Sequence, residues 1–414
     1  MKALGRPLTH ALPHWRGKVG IWTLTAGRGC SLVALNPGDS DQRYDLANRQ
    51  DGDLMIDLID PDGLTAEWLT EVFATEGVMR SGSVVSCAAE PLAAMSFTGV
   101  FRRLELSYDV DEPGLPRTLI AKFSTSDPEL RAAIHSMGFY GREAAFYREL
   151  AATTPVPVPV CYHAAVDEND GRCVILLQDL TTARRGRSTD ACSPAEVGRA
   201  IEAIAPLHAR WWQNPDVEFL RWLDPEGIMP LEATQPEFKA QWPVFLEKLS
   251  IPITDQVRQF GEWAAVELRP VMRRLFYEPP LSVIHHDFQA DNLLFGRASD
   301  SVPLVVIDWQ MVVRGRGPVD LAYLLSGSMD PEDRRRHELD LVTRYAVQLE
   351  AAGVCDYDAV KCLEDYRAAL LLPPVRLALA VAGIPHMTAH RGAFWDVLFQ
   401  RQIRALVDNG AFGS

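Results

Sequence analysis

The residues best suited to chemistry lie in one short stretch, His285-His286-Asp287-Phe288-Gln289-Ala290-Asp291-Asn292, followed by apolar runs and then Ile307-Asp308-Trp309. A loop carboxylate, a nearby amide and a second carboxylate are what phosphoryl transfer from a magnesium-bound nucleotide requires. One carboxylate accepts the proton of an attacking hydroxyl, while the amide oxygen and the other carboxylate hold the cation against the phosphates. A loop ending at Asn292, a tight turn near Gly296–Asp300 and a return strand ending at Asp308 would set the two cation ligands side by side. His285 is read as a buried residue that braces the loop and transfers no proton. Asp291 is read as a solvated or loop-capping carboxylate. The plain alternative makes Asp287 and Asp308 ordinary turn residues.

Those side chains need elements to position them, and the pattern changes along the chain. From Thr65 the spacing predicts a helix, with Leu64, Trp68, Val72 and Phe73 on one face and Gly77 as its stop. Strands follow at Ser83–Cys87, Val100–Tyr108 and Thr118–Phe123, then a helix over Tyr140–Ala152 and a strand at Val174–Leu177. After Leu180 helices dominate. Ser193-Pro194-Ala195-Glu196 is a capping box opening a helix to about Trp212, and helical periodicity covers about Pro236–Leu249, Thr254–Phe276 and Pro331–Val407. A strand pair, Leu293–Phe295 and Leu304–Ile307, interrupts them. The expected architecture is α+β in two lobes: a small antiparallel sheet over 55–180 and a large, mainly helical lobe over 181–414. Residues 1–54 lack periodicity and read as a disordered or peripheral extension, with Met55 an alternative start.

Composition narrows the classes. A formal net charge of −14 over 414 residues repels a phosphate backbone and argues against a nucleic-acid partner. Seven cysteines without CxxC spacing argue against a zinc site or disulfide framework and suit a cytoplasmic compartment. No run approaches the roughly 18 uninterrupted apolar residues of a membrane helix. The longest, Leu377 to Ala382, is expected in a core, so no membrane partner is expected. The oligomeric state is left open.

The pattern "VIHHDFQADNLLFG … VVIDWQMVVRGRGPVDLAYLL" resembles the aminoglycoside phosphotransferase and choline kinase superfamily, and within it the ecdysteroid-kinase-like enzymes. The resemblance covers roughly 60–400 and is most specific between Ile284 and Leu325. It implies a protein-kinase-like fold, ATP and Mg2+ as cofactors, and a small-molecule alcohol as acceptor. It further implies Asp287 as catalytic base, Asn292 and Asp308 as metal ligands, and Asp320 as a structural support of the catalytic loop. Leu176-Leu177-Gln178-Asp179-Leu180 resembles the superfamily's hinge, where backbone groups around Gln178 and Leu180 would bond adenine.

A kinase also needs a strand lysine on the phosphates and a helix glutamate to orient it. Lys122 lies inside an apolar run, where an unpaired charge is costly, and Glu143 early in the next helix can pair with it. A surface lysine on an edge strand is the bland alternative. Ser96-Phe97-Thr98-Gly99-Val100 is the candidate phosphate-covering loop, although its single Gly99 departs from G-x-G-x-x-G. Gln289 stands where protein kinases carry a lysine, and the Asp308–Asp320 interval leaves little room for an activation loop, so a small acceptor is expected. Trp211, Trp212, Trp222, Trp242, Phe245, Trp263, Phe394, Trp395 and Phe399 are expected mostly in the core, with the remainder lining an apolar acceptor cleft. Arg314 and Arg316 are read either as facing phosphate oxygens or as solvated. Aminoglycoside, macrolide or choline-type acceptors, and a non-catalytic pseudokinase, are the alternatives.

Overall fold

Thr65 accepts the Trp68 N–H at 3.1 Å and so caps helix α1 (Ala66–Thr75). Gly77, at φ 71°, turns the chain out of it. Five strands then form one antiparallel sheet: β1 (Val84–Pro91), β2 (Gly99–Tyr108), β3 (Thr118–Ser124), β4 (Cys161–Val166) and β5 (Cys173–Gln178), in the order β1-β2-β3-β5-β4. The computed structural model describes residues 56–92, 98–296, 303–383 and 392–411. The N-terminal extension, Met55, Ser96, Phe97 and the turn beyond Gly296 lie outside the described residues.

Between β3 and β4 run helices α2 (Pro128–Ser136) and α3 (Phe139–Ala145), the latter continuing through a wider helical turn at Phe146–Leu150. The sequence reading missed α2 and β4. The signal for α2 is the Asp127-Pro128 start, where Asp127 accepts the N–H groups of Glu129 and Leu130 at 3.0 and 3.2 Å.

The two-residue period of a strand sorts β3 into two faces. Leu119, Ala121 and Phe123 bury against Trp68, Leu69, Val72 and Phe73 of α1. Ile120 and Lys122 point the other way, opposite Leu177 and Ile175, which belong to the core shared with the helical part. Lys122 therefore faces inward because its neighbours face α1.

The remaining elements are β6 (Arg184–Arg185), α4 (Pro194–Arg210), α5 (Asp216–Phe219), α6 (Thr234–Lys248), α7 (Asp255–Phe276), β7 (Ser282–Ile284), β8 (Leu293–Phe295), β9 (Leu304–Val306), β10 (Val313–Gly315), α8 (Pro318–Ser328), α9 (Pro331–Ala351), α10 (Ala359–Ala369), α11 (Leu372–Gly383) and α12 (Gly392–Asp408). The capping box forms as read: Ser193 and Glu196 bond each other's backbone N–H. Helix α8 is buried along its whole length, so it has no polar face to give it a helical period, and the sequence reading passed over it. Strands β8 and β9 pair in register and β7 pairs with β10.

Two expectations need correcting. Cys87, Cys161, Cys173, Cys192 and Cys362 are free thiols, but Cys355 is disulfide-bonded, which scattered spacing alone does not reveal. Ala359–Gly383 is a 25-residue stretch long and apolar enough to cross a membrane by length and composition. Counting uninterrupted apolar residues overlooked it because Lys361, Glu364, Asp365, Arg367 and Arg376 break the run. In the structure it is the helix pair α10–α11, and 61% of its most apolar window is buried inside the protein, as a core segment is.

Helix α3 is fastened to the helical lobe. Phe146 stacks on Trp309 with ring centroids 3.9 Å apart and planes 4° from parallel. Arg142 donates to the carbonyls of Trp222 and Asp224, the latter at 2.9 Å. The stack holds the helix that carries Glu143 beside the turn after β9, and the Arg142 bonds tie it to the segment 222–224. Phe146→Ala removes the stack and opens a cavity, which costs about 3–5 kcal/mol. Urea denaturation should show the midpoint falling with little change in slope, and an unchanged midpoint would mean the stack does not join the lobes.

Candidate active site

Lys122 is buried, only 3% exposed, and its ammonium is shared. Nζ donates to Glu143 Oε2 at 2.6 Å and to Asp308 Oδ1 at 2.9 Å. Three elements thus meet on one cation: β3, α3 and the turn after β9. Burial alone would pull the ammonium down, but Asp308 and Glu143 outweigh it and hold Lys122 above its ordinary range. Asp308, with 24% of its side chain exposed, is held below the usual carboxylate range. Its burial pushes upward, and the Lys122 charge and hydrogen bond overcome that push. Glu143 is pushed up, burial leading and the Asp308 charge adding to it, against the pull of Lys122. One ammonium serves two carboxylates, and the more buried carboxylate bears the cost.

The catalytic-loop candidate is held from behind by Asp320. This carboxylate, fully buried on α8, accepts the N–H of His285 at 2.8 Å and of His286 at 2.7 Å. His208 Nε2 stands 3.1 Å from it and His208 Nδ1 is 2.8 Å from the Tyr345 hydroxyl. His285 Nδ1 accepts the Asp287 N–H at 3.2 Å, which makes its Nε2, 3.0 Å from the Ile307 carbonyl, the protonated nitrogen of a neutral ring. Both ring nitrogens of His285 are thereby engaged by backbone groups. His286 adopts φ 62° and Asp308 φ 67°, the left-handed region, and both sit where the chain turns sharply into the site.

Asn292 lies at the end of a short helical turn, one residue before β8, and its carbonyl accepts the Ile307 N–H at 3.0 Å. The β8–β9 register therefore brings Asn292 and Asp308 to the same end of the hairpin. The Asn292 amide NH2 donates to the Asp287 carbonyl and to Asp287 Oδ2, both at 2.8 Å, which fixes the plane of the amide. Gln289 donates to Asp287 Oδ1 at 3.1 Å. Burial pushes the Asp287 carboxyl above its ordinary value, with Arg376 opposing.

An amide oxygen and a carboxylate are hard donors of the kind Mg2+ takes while keeping waters and phosphate oxygens for its other positions. Among the described residues no group of three or more His, Cys, Asp or Glu side chains forms a closed cage for a metal. The donor set fits a cation shared with a phosphate-bearing ligand.

Several expectations change in detail. Arg316 is buried on Asp365, with Nη1 at 2.7 and 2.9 Å from the two carboxylate oxygens, and Arg314 pairs with Asp224 at 3.2 Å; these are structural ion pairs. Asp291 is the capping carboxylate expected, accepting the Ser188 N–H at 3.0 Å. Gly99 lies opposite Ser124, where an added Cβ would come within 2.6 Å of the Phe123 carbonyl and 3.8 Å of Lys122 Cε. Its small size is needed for close strand approach beside Lys122. At the segment resembling a hinge, the Gln178 N–H is spent on the Val160 carbonyl at 2.8 Å, and the Leu180 carbonyl accepts the Ala183 N–H at 2.9 Å. Those two backbone atoms are committed within the protein, so an adenine would meet the groups between them. All nine aromatics flagged for an acceptor cleft belong to, or pack against, the main core.

Sequence reasoning missed Arg376. From α11 its guanidinium donates to the His286 carbonyl, reaches Met311 Sδ at 2.8 Å and Asp287 Oδ1 at 3.5 Å, and lies 4.6 Å from the Tyr323 ring centroid. The available signal was a single charge in the apolar run Leu372-Pro373-Pro374-Val375-Arg376-Leu377-Ala378.

The family model "APH: Phosphotransferase enzyme family" matches residues 105–361, more than half of the chain. No curated protein matches the sequence. Among solved structures, the chain is similar to an ethanolamine kinase of Plasmodium vivax, at 11% identity and a TM-score of 0.46, over 82% of this chain and 86% of that one. It is also similar to choline kinase from Cryptosporidium parvum, at 12% and 0.45, over 78% and 91%. A third similarity is to wild-type aminoglycoside 2'-phosphotransferase-IIIa in complex with GDP, at 13% and 0.43, over 82% and 99%.

Lys122→Met leaves the buried Glu143 carboxylate without its cation and should destabilise the fold by about 3–5 kcal/mol. Adding Glu143→Leu should return much of that stability, because a buried apolar pair replaces a stranded charge. Thermal melts of the single and double variants test this; equal melting temperatures for the two would contradict it.

Proposed function

Because the chain belongs to the phosphotransferase enzyme family, we propose that it moves the γ-phosphoryl group of ATP onto a hydroxyl of a small molecule. The observation that carries this reading is the convergence of two clusters. Asn292 bonds Asp287, Lys122 bonds Asp308, and the β8–β9 hairpin brings Asn292 and Asp308 together.

In this reading Asp287 orients the acceptor hydroxyl and takes its proton as the oxygen attacks the γ-phosphorus. The bond from that phosphorus to the bridging oxygen breaks, ADP leaves with the electron pair, and the proton passes from Asp287 to solvent. Asn292 and Asp308 would hold Mg2+, which when bound neutralises charge on the phosphates. Lys122 keeps Glu143 and exchanges Asp308 for phosphate oxygens. Asp320 and His285 take no part in proton transfer; they fix the loop that aims Asp287.

A small, uncharged alcohol of largely apolar character is the proposed acceptor class. Between Asp308 and Asp320 the chain goes directly through β10 into α8, which leaves no extended segment to dock a protein substrate. The Arg376 guanidinium beside Asp287 places positive charge where a polyammonium acceptor would need carboxylates. That weighs against aminoglycosides and choline-like cations, as aromatic core packing weighs against reading the tryptophans as a binding stripe.

Purified protein with Mg-ATP and a panel of alcohols, followed by ADP release, should show turnover with neutral hydrophobic alcohols above that with amino sugars. Asp287→Asn should keep nucleotide affinity and lose roughly 10²–10⁴-fold in turnover on the best of them. Wild-type turnover in that variant would remove Asp287 from its role.

A further inference from the structure

The peptide that aims Asp287 is gripped from two sides, and only one grip lies within the stretch matched by the family model. His286, the residue before the base, is fully buried at φ 62°, a conformation a non-glycine residue holds only when its surroundings impose it. Asp320 takes the N–H groups of His285 and His286. On the other side the His286 carbonyl accepts from Arg376 Nη1, while Nη2 of the same guanidinium faces Asp287 Oδ1 at 3.5 Å. Arg376 lies beyond the residues the family model matches, on a helix that is otherwise apolar from Leu372 to Val381.

The geometry points to Arg376 as a positioning residue for the phosphotransfer, whose planar fork fixes the His286 peptide and the Asp287 carboxylate in one orientation. The inference rests on the proposed role of Asp287. A guanidinium suits the task because two of its N–H groups point in fixed directions, one for the carbonyl and one for the carboxylate. Tyr323 lies under the guanidinium plane and Met311 Sδ at its edge, so the side chain is held on α11's side of the loop. Burial, together with the nearby Arg376 and Arg142 charges, keeps the His286 imidazole neutral, so it adds no competing charge to the grip. Lysine at this position has the charge but carries its donors on a single nitrogen, without the planar fork whose two nitrogens reach the carbonyl and the carboxylate separately.

The test compares wild type, Arg376→Lys, Arg376→Met and Asp287→Asn, using Mg-ATP and the best alcohol of the panel. Turnover, KM for ATP, affinity for a fluorescent ATP analogue and melting temperature are measured for each. Turnover should fall at least tenfold in Arg376→Met and by a smaller factor in Arg376→Lys, with nucleotide affinity within twofold of wild type in both. Wild-type turnover in Arg376→Lys overturns the two-point grip, even where Arg376→Met proves too unstable to assay. Loss of nucleotide affinity in step with turnover would make Arg376 a packing residue and also overturn the assignment. Asp287→Asn separates the two readings: if it turns over like wild type, the base assignment fails; if it is inactive while both Arg376 variants are active, only the Arg376 inference fails.

Discussion

One ammonium group shared by two carboxylates sets the geometry of this protein. Lys122 comes from the middle strand of the sheet, Glu143 from the helix behind it, and Asp308 from the turn that closes the hairpin of the helical lobe. Each charge would be expensive to bury alone, and each is tolerated because the other two are present. The constraint works across the whole fold. The sheet, α3 and the β8–β9 hairpin can pack in one arrangement only if these three side chains arrive together. The Phe146–Trp309 stack and the Arg142 contacts hold that arrangement.

Around that triad, polar groups are spent on orientation. Asp320 sits at the buried end of α8 and uses both oxygens on the backbone of His285 and His286, and His208 and Tyr345 extend the network behind it. His285 commits both nitrogens to backbone atoms. The left-handed residues His286 and Asp308 are thus strained positions held by several independent bonds, which is how a loop keeps a carboxylate aimed without regular structure.

Much of this could be read from residue order. A lysine inside the apolar run Leu119–Phe123 called for a buried partner, the Asn292 and Asp308 ends of an apolar hairpin had to meet, and Ser193–Glu196 announced its helix. What escaped had physical reasons. Helix α8 is buried on every side, Asp320 included, and shows no period, α2 is short and weakly patterned, and β4 has few residues to alternate. Arg314 and Arg316 lay beside a candidate metal ligand in sequence, but strand β10 turns them toward Asp224 and Asp365. Arg376 approaches Asp287 from 89 positions along the chain. A contact of that kind depends on how α11 packs against α8, which no local pattern encodes.

The most direct test is a crystal structure with Mg2+ and a non-hydrolysable ATP analogue. In that complex Lys122 should keep its bond to Glu143 and move from Asp308 to phosphate oxygens. Asp308 and the Asn292 amide oxygen should take the cation, and Asp287 should face the terminal phosphate across an open acceptor position. A nucleotide bound away from Lys122, or a terminal phosphate out of reach of Asp287 with Lys122 still on Asp308, would contradict it.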